Sequence, residues 1–314
     1  MERLTGGQSN PTYKLTAAGR RYVLRKQPGG VLLPSAHAVD REYQVMTALQ
    51  QSNVPVPRTY CFCDDASIVG TLFYVMEFVD GRVLRDPLLP GLQAAERAAI
   101  WDEMNRVIAA LHTVDHEAVG LGQYGKAGNY FNRQIARWTR QYRASETERI
   151  AAMENLIAWL PAHVPARDEV SLVHGDYRID NLVFHPVEPR ALAVLDWELS
   201  TLGHPLADFA YHMMSWRLTS DQFRGMAGHD LASLGMPGED AYLNAYCRRT
   251  GRHVPDRVEW EFCMAFGMFR LAAILQGILK RAQEGNAAGD DAFQTGMRAR
   301  AIAETAWRGI ESLG

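Results

Sequence analysis

The sequence predicts an α+β fold with two lobes, a small β-rich lobe at the N-terminus and a larger helical lobe after it. Three observations carry this prediction. Short β-type segments dominate the first part of the chain, helical periodicity dominates the second, and glycine and proline cluster between them at 81–91. We therefore place the N-terminal lobe at 1–80 and the C-terminal lobe at 81–314.

The N-terminal lobe is expected to contain four strands and one main helix. Residues 12–16 and 21–26 have the pattern of two strands joined by a turn. Residues 36–51 carry apolar side chains at three- and four-residue steps, which predicts a helix. The Val-Pro-Val-Pro segment after it cannot continue a helix, because proline restricts its own backbone and the residue before it. Two more strand-like segments follow at 58–63 and 68–79.

The C-terminal lobe is expected to be helical apart from one strand-rich island. The helical patterns cover 91–113, 130–160, 205–217, 238–250, 254–284 and 288–313. The island has three short β-type runs at 170–173, 182–184 and 191–195, with polar turns between them.

The composition excludes several classes of partner. The chain has 314 residues, 47% of them hydrophobic, and a formal charge of −3. This balance provides no basic surface for nucleic acid or an anionic membrane, so we expect neither as a partner. No signal peptide is recognisable, and the best apolar run, 262–269, is much shorter than the ~18 residues of a membrane span. We expect a cytoplasmic protein whose four cysteines are reduced thiols.

One segment of the strand-rich island contains the candidate catalytic residues. In the run His-Gly-Asp-Tyr-Arg-Ile-Asp-Asn at 174–181, Asn181 lies five residues after Asp176, which is the spacing of the protein-kinase catalytic loop. Asp196 follows an apolar strand fifteen residues later. Phosphoryl transfer needs one carboxylate to orient the attacking hydroxyl and accept its proton, and hard oxygen ligands to hold Mg²⁺. These residue types at this spacing therefore indicate a kinase-type site.

The N-terminal lobe offers groups for a nucleotide. Gly7 belongs to a glycine pair whose backbone N–H groups could approach phosphate closely, and Ser9 and Asn10 add donors. The segment Met-Glu-Phe-Val that contains Glu77 and Val79 is the candidate hinge. Its backbone could hydrogen-bond an adenine ring and its apolar side chains could enclose that ring.

A cation for the phosphates is expected on the second strand. Arg25 lies there, and Glu42 follows on the next helix, where its carboxylate could hold the cation in place. Lys26 is an alternative, since neighbouring strand residues face opposite sides and only one can point into the cleft. We favour Arg25, because arginine stays charged and can grip two oxygens.

Five segments together resemble the aminoglycoside phosphotransferase and choline kinase superfamily: GGQSNPTYKL, YVLRKQP, SAHAVDREY, HGDYRIDN and LDWELSTLGHPLADFAY. Within it, they are most similar to the phosphotransferase domain of certain acyl-CoA dehydrogenase-like proteins. The resemblance covers nearly the whole chain and implies a bilobal fold like that of protein kinases. It also implies ATP- and Mg²⁺-dependent transfer of the γ-phosphoryl group to an alcohol group of a small molecule, with a hydroxy acid or a hydroxyacyl-CoA as the acceptor.

The resemblance assigns a role to each motif residue. Asp176 matches the catalytic base, and Asn181 and Asp196 match the metal ligands. Arg25 takes the place of the phosphate-binding cation, with Glu42 as its partner. A further aspartate, at position 208, matches a structural residue that supports the catalytic loop.

Two departures from protein kinases favour a small-molecule acceptor. Gly175 replaces the arginine of the kinase His-Arg-Asp motif, and Asp208 lies only 12 positions after Asp196. This leaves little room for a phosphorylated activation loop or a platform for peptides. An antibiotic-modifying kinase and a protein kinase or nucleotide-binding regulatory module remain alternatives.

The acceptor side is suggested by two arginines. Arg133 lies near a helix start rich in aromatic residues, and Arg270 lies in a helix that is apolar on almost every side. A buried arginine is costly unless it is paired. Its partner is either an internal carboxylate or an anionic acceptor, and the second interpretation points to an acidic or CoA-linked substrate.

Several polar residues near the motifs have a structural interpretation beside a functional one. His112 and His116 have the spacing of helix-borne metal ligands but lack a recognisable third ligand, so a structural role is favoured. His174 is expected to orient the catalytic loop. Asp180 and Glu198 are expected to support the motif through hydrogen bonds.

Overall fold

The computed structural model describes residues 1–4, 10–29, 38–286 and 291–314. Gly7 and Ser9 of the predicted phosphate loop lie outside these ranges, whereas Asn10 lies inside them.

The N-terminal lobe is built on a five-stranded antiparallel sheet. Its strands are β1 (Glu2–Arg3), β2 (Thr12–Ala17), β3 (Arg20–Lys26), β4 (Thr59–Cys63) and β5 (Phe73–Glu77). Their spatial order is β1-β2-β3-β5-β4. Ala18 and Gly19 connect β2 to β3, and both have positive φ, as a two-residue hairpin turn requires. Arg25 therefore lies on the middle strand, with Thr12 and Tyr74 as its neighbours across the sheet.

One long helix of this lobe brings a carboxylate into its interior. Helix α1 (Val39–Leu49) packs against β4 and β5. Its buried positions, Val39, Glu42, Val45, Met46 and Leu49, follow helical periodicity. Glu42 is only 1% exposed, so the same periodicity that buries the apolar side chains also buries this acid.

The predicted strand at 68–79 is wrong in its first part. A short helix, α2 (Ala66–Val69), overlaps its start, and β5 begins only at Phe73. Asp65 caps α2 by accepting a hydrogen bond from the N–H of Ser67, and Gly70 ends it with a φ of +86°. These local capping groups override the strand-like composition.

The C-terminal lobe contains helices and two small antiparallel sheets. The helices are α3 (Ala94–His112), α4 (Tyr130–Ser145), α5 (Ala151–Trp159), α6 (Pro205–Met213), α7 (Ser220–Phe223), α8 (Glu239–Thr250), α9 (Arg257–Gln283), α10 (Ala292–Met297) and α11 (Ala299–Glu311). The strands are β6 (Ser171–Val173), β7 (Leu182–Phe184), β8 (Ala191–Val194) and β9 (Thr201–Gly203). Strand β6 pairs with β9, and β7 pairs with β8. The sequence predicts β6, β7 and β8, whereas β9 and α7 are additional elements.

The single helix predicted at 130–160 is two helices, α4 and α5. Two side chains of α9 bind the end of α4: Gln276 donates to the carbonyl oxygen of Ser145, and Lys280 donates to that of Ala144. Glu146 then has an extended backbone. These partners lie 131 and 136 positions later in the chain, so local periodicity could not reveal the break.

Helix α9 is the central helix of the C-terminal lobe and packs against α4, α6, α10 and α11. Its length and composition would allow it to cross a membrane, so the expectation that no segment comes near that length is wrong. An 18-residue window of this helix is 83% buried inside the protein, as in a core helix. Arg270, inside this helix, is 7% exposed and contacts the catalytic loop.

Candidate active site

The catalytic loop at 174–181 connects β6 to β7, and its second residue has to be glycine. Gly175 has a φ of +83°, a region that L side chains rarely adopt. A Cβ atom at this position would lie 2.7 Å from the carbonyl oxygen of Leu199. The arginine of the protein-kinase motif therefore does not fit in this loop.

Asp208, in the first turn of α6, holds the start of the loop. Its two carboxylate oxygens accept hydrogen bonds from the backbone N–H groups of His174 and Gly175, both at 2.8 Å. His112 Nε2 lies 3.1 Å from the same carboxylate, and its Nδ1 lies 2.7 Å from the hydroxyl of Tyr246. Burial alone would raise the pKa of Asp208, but the hydrogen bond from His112 and the charges around it hold that pKa below its ordinary value. The structural role predicted for Asp208 is thus what the structure shows.

His112, of the histidine pair considered as metal ligands, is part of a buried hydrogen-bond network. His112 is committed to Asp208 and Tyr246. In the part of the chain that the structure describes, no three His, Cys, Asp or Glu side chains are arranged to hold a metal ion. The structural interpretation of His112 therefore stands.

His174 connects the catalytic loop to the strand that precedes Asp196. Its Nδ1 accepts a hydrogen bond from the N–H of Asp176 at 3.2 Å, so its Nε2 is the atom that donates, to the carbonyl oxygen of Leu195 at 2.9 Å. The ring packs against Trp197, with 4.8 Å between centroids. This is the orienting role that the sequence predicts.

The Asp176 carboxylate lies among polar groups of its own loop. Asn181 Nδ2 donates to the backbone oxygen of Asp176 at 2.8 Å and to its Oδ2 at 3.3 Å. Arg178 Nε lies 3.1 Å from Oδ1. Burial raises the pKa of Asp176, and the positive charges of Arg178 and Arg270 oppose this rise. The result is a carboxylate whose pKa is shifted upward in the direction that suits a general base.

Asn181 and Asp196 meet at one end of the β7–β8 hairpin. Asn181 directly precedes β7, Asp196 lies two residues beyond the end of β8, and the two strands are antiparallel. The N–H of Leu195 donates to the carbonyl oxygen of Asn181 at 2.8 Å. Asp196 has a φ of +66°, a costly conformation for a non-glycine residue. Because Asn181 Nδ2 is bound to Asp176, its Oδ1 is the atom that could serve as a ligand.

Arg25 joins the two lobes at this point. Its Nη2 donates to Asp196 Oδ1 at 2.8 Å, and its Nε lies 2.9 Å from Glu42 Oε2. Glu198 Oε2 is 3.9 Å from the same guanidinium. Lys26, the alternative cation, instead donates to the carbonyl oxygen of Val69. The structure therefore places Arg25, and not Lys26, beside Asp196.

Glu42 is held by three side chains. Besides Arg25, Asn10 Nδ2 donates to Oε1 at 2.7 Å and the Tyr74 hydroxyl donates to Oε2 at 3.0 Å. Burial is the largest influence on Glu42 and raises its pKa, while Arg25 opposes this effect. Asn10 therefore binds Glu42, the carboxylate that holds Arg25.

The candidate hinge follows the last strand of the N-terminal sheet. The backbone N–H of Glu77 donates to the carbonyl oxygen of Arg58 at 2.8 Å, so it is not available to a nucleotide. Val79 lies two residues beyond the end of β5. Of the two hinge residues that we predict, Val79 is the one outside the sheet.

Arg270 contacts the catalytic loop itself. Its Nη2 donates to the carbonyl oxygen of Gly175 at 2.7 Å, and its guanidinium lies over the rings of Tyr211 (4.6 Å) and Trp138 (5.6 Å). The internal carboxylate considered as its partner is not found among the described residues. Arg133 contacts a different segment, where it donates to the carbonyl oxygen of Lys126.

Two arginines near the catalytic loop, Arg178 and Arg224, are not among the site residues predicted from the sequence. Arg178 lies inside the motif, but it is in an irregular turn, so the sequence does not predict the direction of its side chain. Arg224 forms an ion pair with Asp180, and Arg178 Nη2 lies 3.6 Å from the same carboxylate. The signal for Arg178 was present in the motif, whereas Arg224 follows α7, a helix that periodicity does not reveal.

The fold and the catalytic loop define a class of protein, a phosphotransferase with an α+β, bilobal, protein-kinase-like fold. The chain matches the model of the phosphotransferase enzyme family over residues 1–260, and it belongs to this family.

Known relatives agree with this assignment. The chain is 50% identical to mouse acyl-CoA dehydrogenase family member 10 over 96% of its own length and 45% identical to rat family member 11 over 95%. It spans only 28% and 38% of those two proteins. Its fold is also that of a Ralstonia eutropha protein provisionally named an aminoglycoside phosphotransferase, with a TM-score of 0.92, 56% identity, and coverage of 99% of this chain and 92% of that one.

A more distant structure shows how widely the fold is shared. The aminoglycoside phosphotransferase APH(4)-Ia in a ternary complex with AMP-PNP and hygromycin B has a TM-score of 0.63 at 16% identity, covering 96% of this chain and 92% of its own. At that identity the likeness concerns the fold alone.

Proposed function

We propose that this chain transfers the γ-phosphoryl group of ATP to a hydroxyl group of a small metabolite, with Mg²⁺ as cofactor. The observation that carries this proposal is the meeting of Asp176, Asn181 and Asp196 around one hairpin end, with Arg25 reaching them from the other lobe. A base, an oxygen ligand pair and a phosphate-binding cation are the groups that phosphoryl transfer requires.

Each of these side chains has a task in the proposed reaction. Asp176 orients the acceptor hydroxyl and accepts its proton. Glu42 holds Arg25, whose guanidinium can then bind phosphate oxygens. Asp208 keeps the loop in the conformation that presents Asp176.

The residues present fit a magnesium ion. One amide oxygen from Asn181 and one carboxylate from Asp196 are hard ligands, and Mg²⁺ usually takes only one or two protein carboxylates. When bound, Mg²⁺ neutralises phosphate charge. In the structure Arg25 balances the carboxylate of Asp196, so the site is suited to a positive charge at that carboxylate.

We propose a hydroxy acid or a hydroxyacyl-CoA as the acceptor. The acyl-CoA dehydrogenase names of the curated relatives support this class. The 12-residue interval between Asp196 and Asp208 and the glycine at position 175 support a small acceptor over a peptide. An antibiotic kinase is the second candidate, because solved structures with this fold include an antibiotic-bound aminoglycoside phosphotransferase.

The decisive experiment is a metabolite library, including aminoglycosides, screened for ATP- and Mg²⁺-dependent phosphorylation. We expect Asp176→Asn to lower kcat about a hundredfold or more, the usual size of a general-base contribution, while nucleotide binding persists. Asp240→Asn, an exposed aspartate on α8, is the matched control and should leave kcat unchanged. Near-normal turnover of Asp176→Asn would refute the base assignment, and phosphorylation of aminoglycosides alone would favour the antibiotic kinase.

A further inference from the structure

A pocket borders the catalytic loop on the side formed by α6 and the segment after it. Its lining includes Arg178 and Asp180 of the loop, Tyr211 of α6 and Phe223 of α7. Arg178 both lines this pocket and lies 3.1 Å from the carboxylate of Asp176. A molecule in the pocket could therefore contact Arg178, which in turn contacts the proposed catalytic base.

The pocket carries an excess of positive charge. Three arginines line it, Arg85, Arg178 and Arg224, against one acidic residue, Asp180. Burial lowers the pKa of His212, also in the lining, to about 3, so this histidine is neutral near pH 7. Asp180 is shared by Arg178 and Arg224.

Some of the guanidinium N–H groups that line the pocket have no hydrogen-bond acceptor among the described residues. Within the described ranges, Arg85 makes no ion pair or hydrogen bond, and its side chain is exposed. Arg178 Nε is buried with no hydrogen-bond partner in the same ranges, although it lies close to Asp176. Guanidinium groups in this situation bind carboxylate and phosphate oxygens, often two at a time.

The rest of the pocket wall is apolar and aromatic. Trp101, Met214 and Leu218 are almost completely buried and line it beside Tyr211 and Phe223. Such a wall suits a hydrocarbon portion of a ligand, with few polar groups to fix its orientation. A polycation would meet an excess of positive charge here, since Asp180 and the adjacent Asp176 do not balance all three arginines, and is disfavoured.

We propose that this pocket binds the acceptor and that Arg85, Arg178 and Arg224 bind an anionic group of that acceptor, a carboxylate or a phosphate. The hydrocarbon part packs on the aromatic wall, and the hydroxyl group reaches Asp176. The inference rests on the proposed phosphotransferase function and adds to it the residues that select an anionic, partly apolar acceptor.

The test measures binding by calorimetry on the full chain with ADP and Mg²⁺ present, so that no turnover occurs. Three probes share one hydrocarbon chain: ω-hydroxydecanoate, decanediol monophosphate and neutral decanediol. We expect at least one anion to bind about tenfold or more tightly than decanediol, because charge-assisted hydrogen bonds are roughly twice as strong as neutral ones. The two anions separate a carboxylate site from a phosphate site.

Two variants and one control assign the preference to the pocket. Arg85→Gln and Arg224→Gln should each reduce the preference for the anion several-fold, with unchanged affinity for ADP and for decanediol. Arg85 makes no contact in the described structure that would endanger folding, so it remains informative if Arg224→Gln is unstable. Arg190→Gln, an exposed arginine paired with Glu188 outside the pocket, should keep the full preference.

The inference is overturned if decanediol binds as tightly as both anions, if neither anion binds, or if both pocket variants retain the preference. These outcomes are distinct from failure of the proposed function. If the unaltered protein shows no preference for an anion but still uses ATP to phosphorylate a hydroxyl group, only this inference is removed. If the protein neither binds ADP nor phosphorylates any acceptor, the proposed function is wrong. Binding of the three probes without nucleotide then tests the anion preference of the pocket separately.

Discussion

At the scale of single residues, charged side chains bind both backbone polar groups of Gly175. Its N–H donates to Asp208, and its carbonyl oxygen accepts from Arg270. The next residue is Asp176, so the position of the proposed base is set by a carboxylate from α6 and a guanidinium from α9. Both groups are buried, and in a medium of low polarity such hydrogen bonds are strong and costly to leave unmade.

Arg270→Met should therefore lower kcat with little change in the KM for ATP. The variant leaves the carbonyl of Gly175 unsatisfied, and a lost buried hydrogen bond costs about 1–3 kcal/mol, equivalent to roughly a tenfold or larger effect. Steady-state kinetics on ATP and on the acceptor provide the measurement. Arg281→Met, at an exposed position of the same helix, is the matched control. If instead only the acceptor KM rises, Arg270 binds the acceptor directly and the positioning role is wrong.

The motif residues show what sequence can and cannot predict at this scale. The spacing of Asp176, Asn181 and Asp196 was sufficient to expect them together, because the chemistry demands it and a short hairpin joins them. The partner of Arg270 was not predictable. A carboxylate was the reasonable expectation for a buried arginine, but a backbone carbonyl 95 positions away and two aromatic faces take that role.

At the scale of elements, the catalytic loop depends on a backbone conformation that only glycine adopts at low cost. Gly175→Ala should lose activity and stability together, since Ala adds both a left-handed backbone cost and a contact of 2.7 Å with Leu199. Gly251→Ala is a control with the same backbone problem, because Gly251 has a φ of +67° and open space around it. Thermal unfolding should show about 1 kcal/mol of loss for the control and clearly more for Gly175→Ala. Equal losses in the two variants would show that the contact with Leu199 is relieved without cost.

Elements were predictable where their signal is local. The strands around Arg25 and the helix that carries Glu42 follow from alternation and periodicity within a few residues. Helix α2 is indicated by its capping groups and not by its composition. The break between α4 and α5 depends on side chains of α9 that bind the carbonyls at the end of α4. Long-range contacts of this kind are absent from any sequence window.

At the scale of the whole molecule, the lobes meet through charge. Arg25 extends from the N-terminal sheet to Asp196 in the C-terminal lobe, while Glu42 neutralises it from behind. A bound nucleotide and cation would enter between groups that already attract each other across the cleft. The α+β, two-lobed architecture is confirmed, and Arg25 connects its two lobes through an ion pair.

At the same scale, buried histidines should contribute a part of the stability that is lost in mild acid, because burial disfavours their charged form in the folded state. Burial lowers the pKa of His212 to about 3, and the pKa values of His112 and His204 are also lowered mainly by burial. An unfolded histidine titrates near pH 6.5, so between about pH 3 and 6.5 His212 binds more protons in the unfolded chain and its contribution to stability rises with pH. Glu42 acts in the opposite direction, because burial raises its pKa in the folded state to about 7 and it then binds more protons in the folded chain over part of this range. From pH 7 to pH 5 we expect His212 alone to account for about 2 kcal/mol of lost stability. Denaturant unfolding of the natural sequence and of His212→Gln at the two pH values isolates this contribution, which the variant should lack, whereas His229→Gln, at an exposed position, should behave as the natural sequence does. The same pH dependence in His212→Gln as in the natural sequence would show that this histidine is not the group that titrates on unfolding.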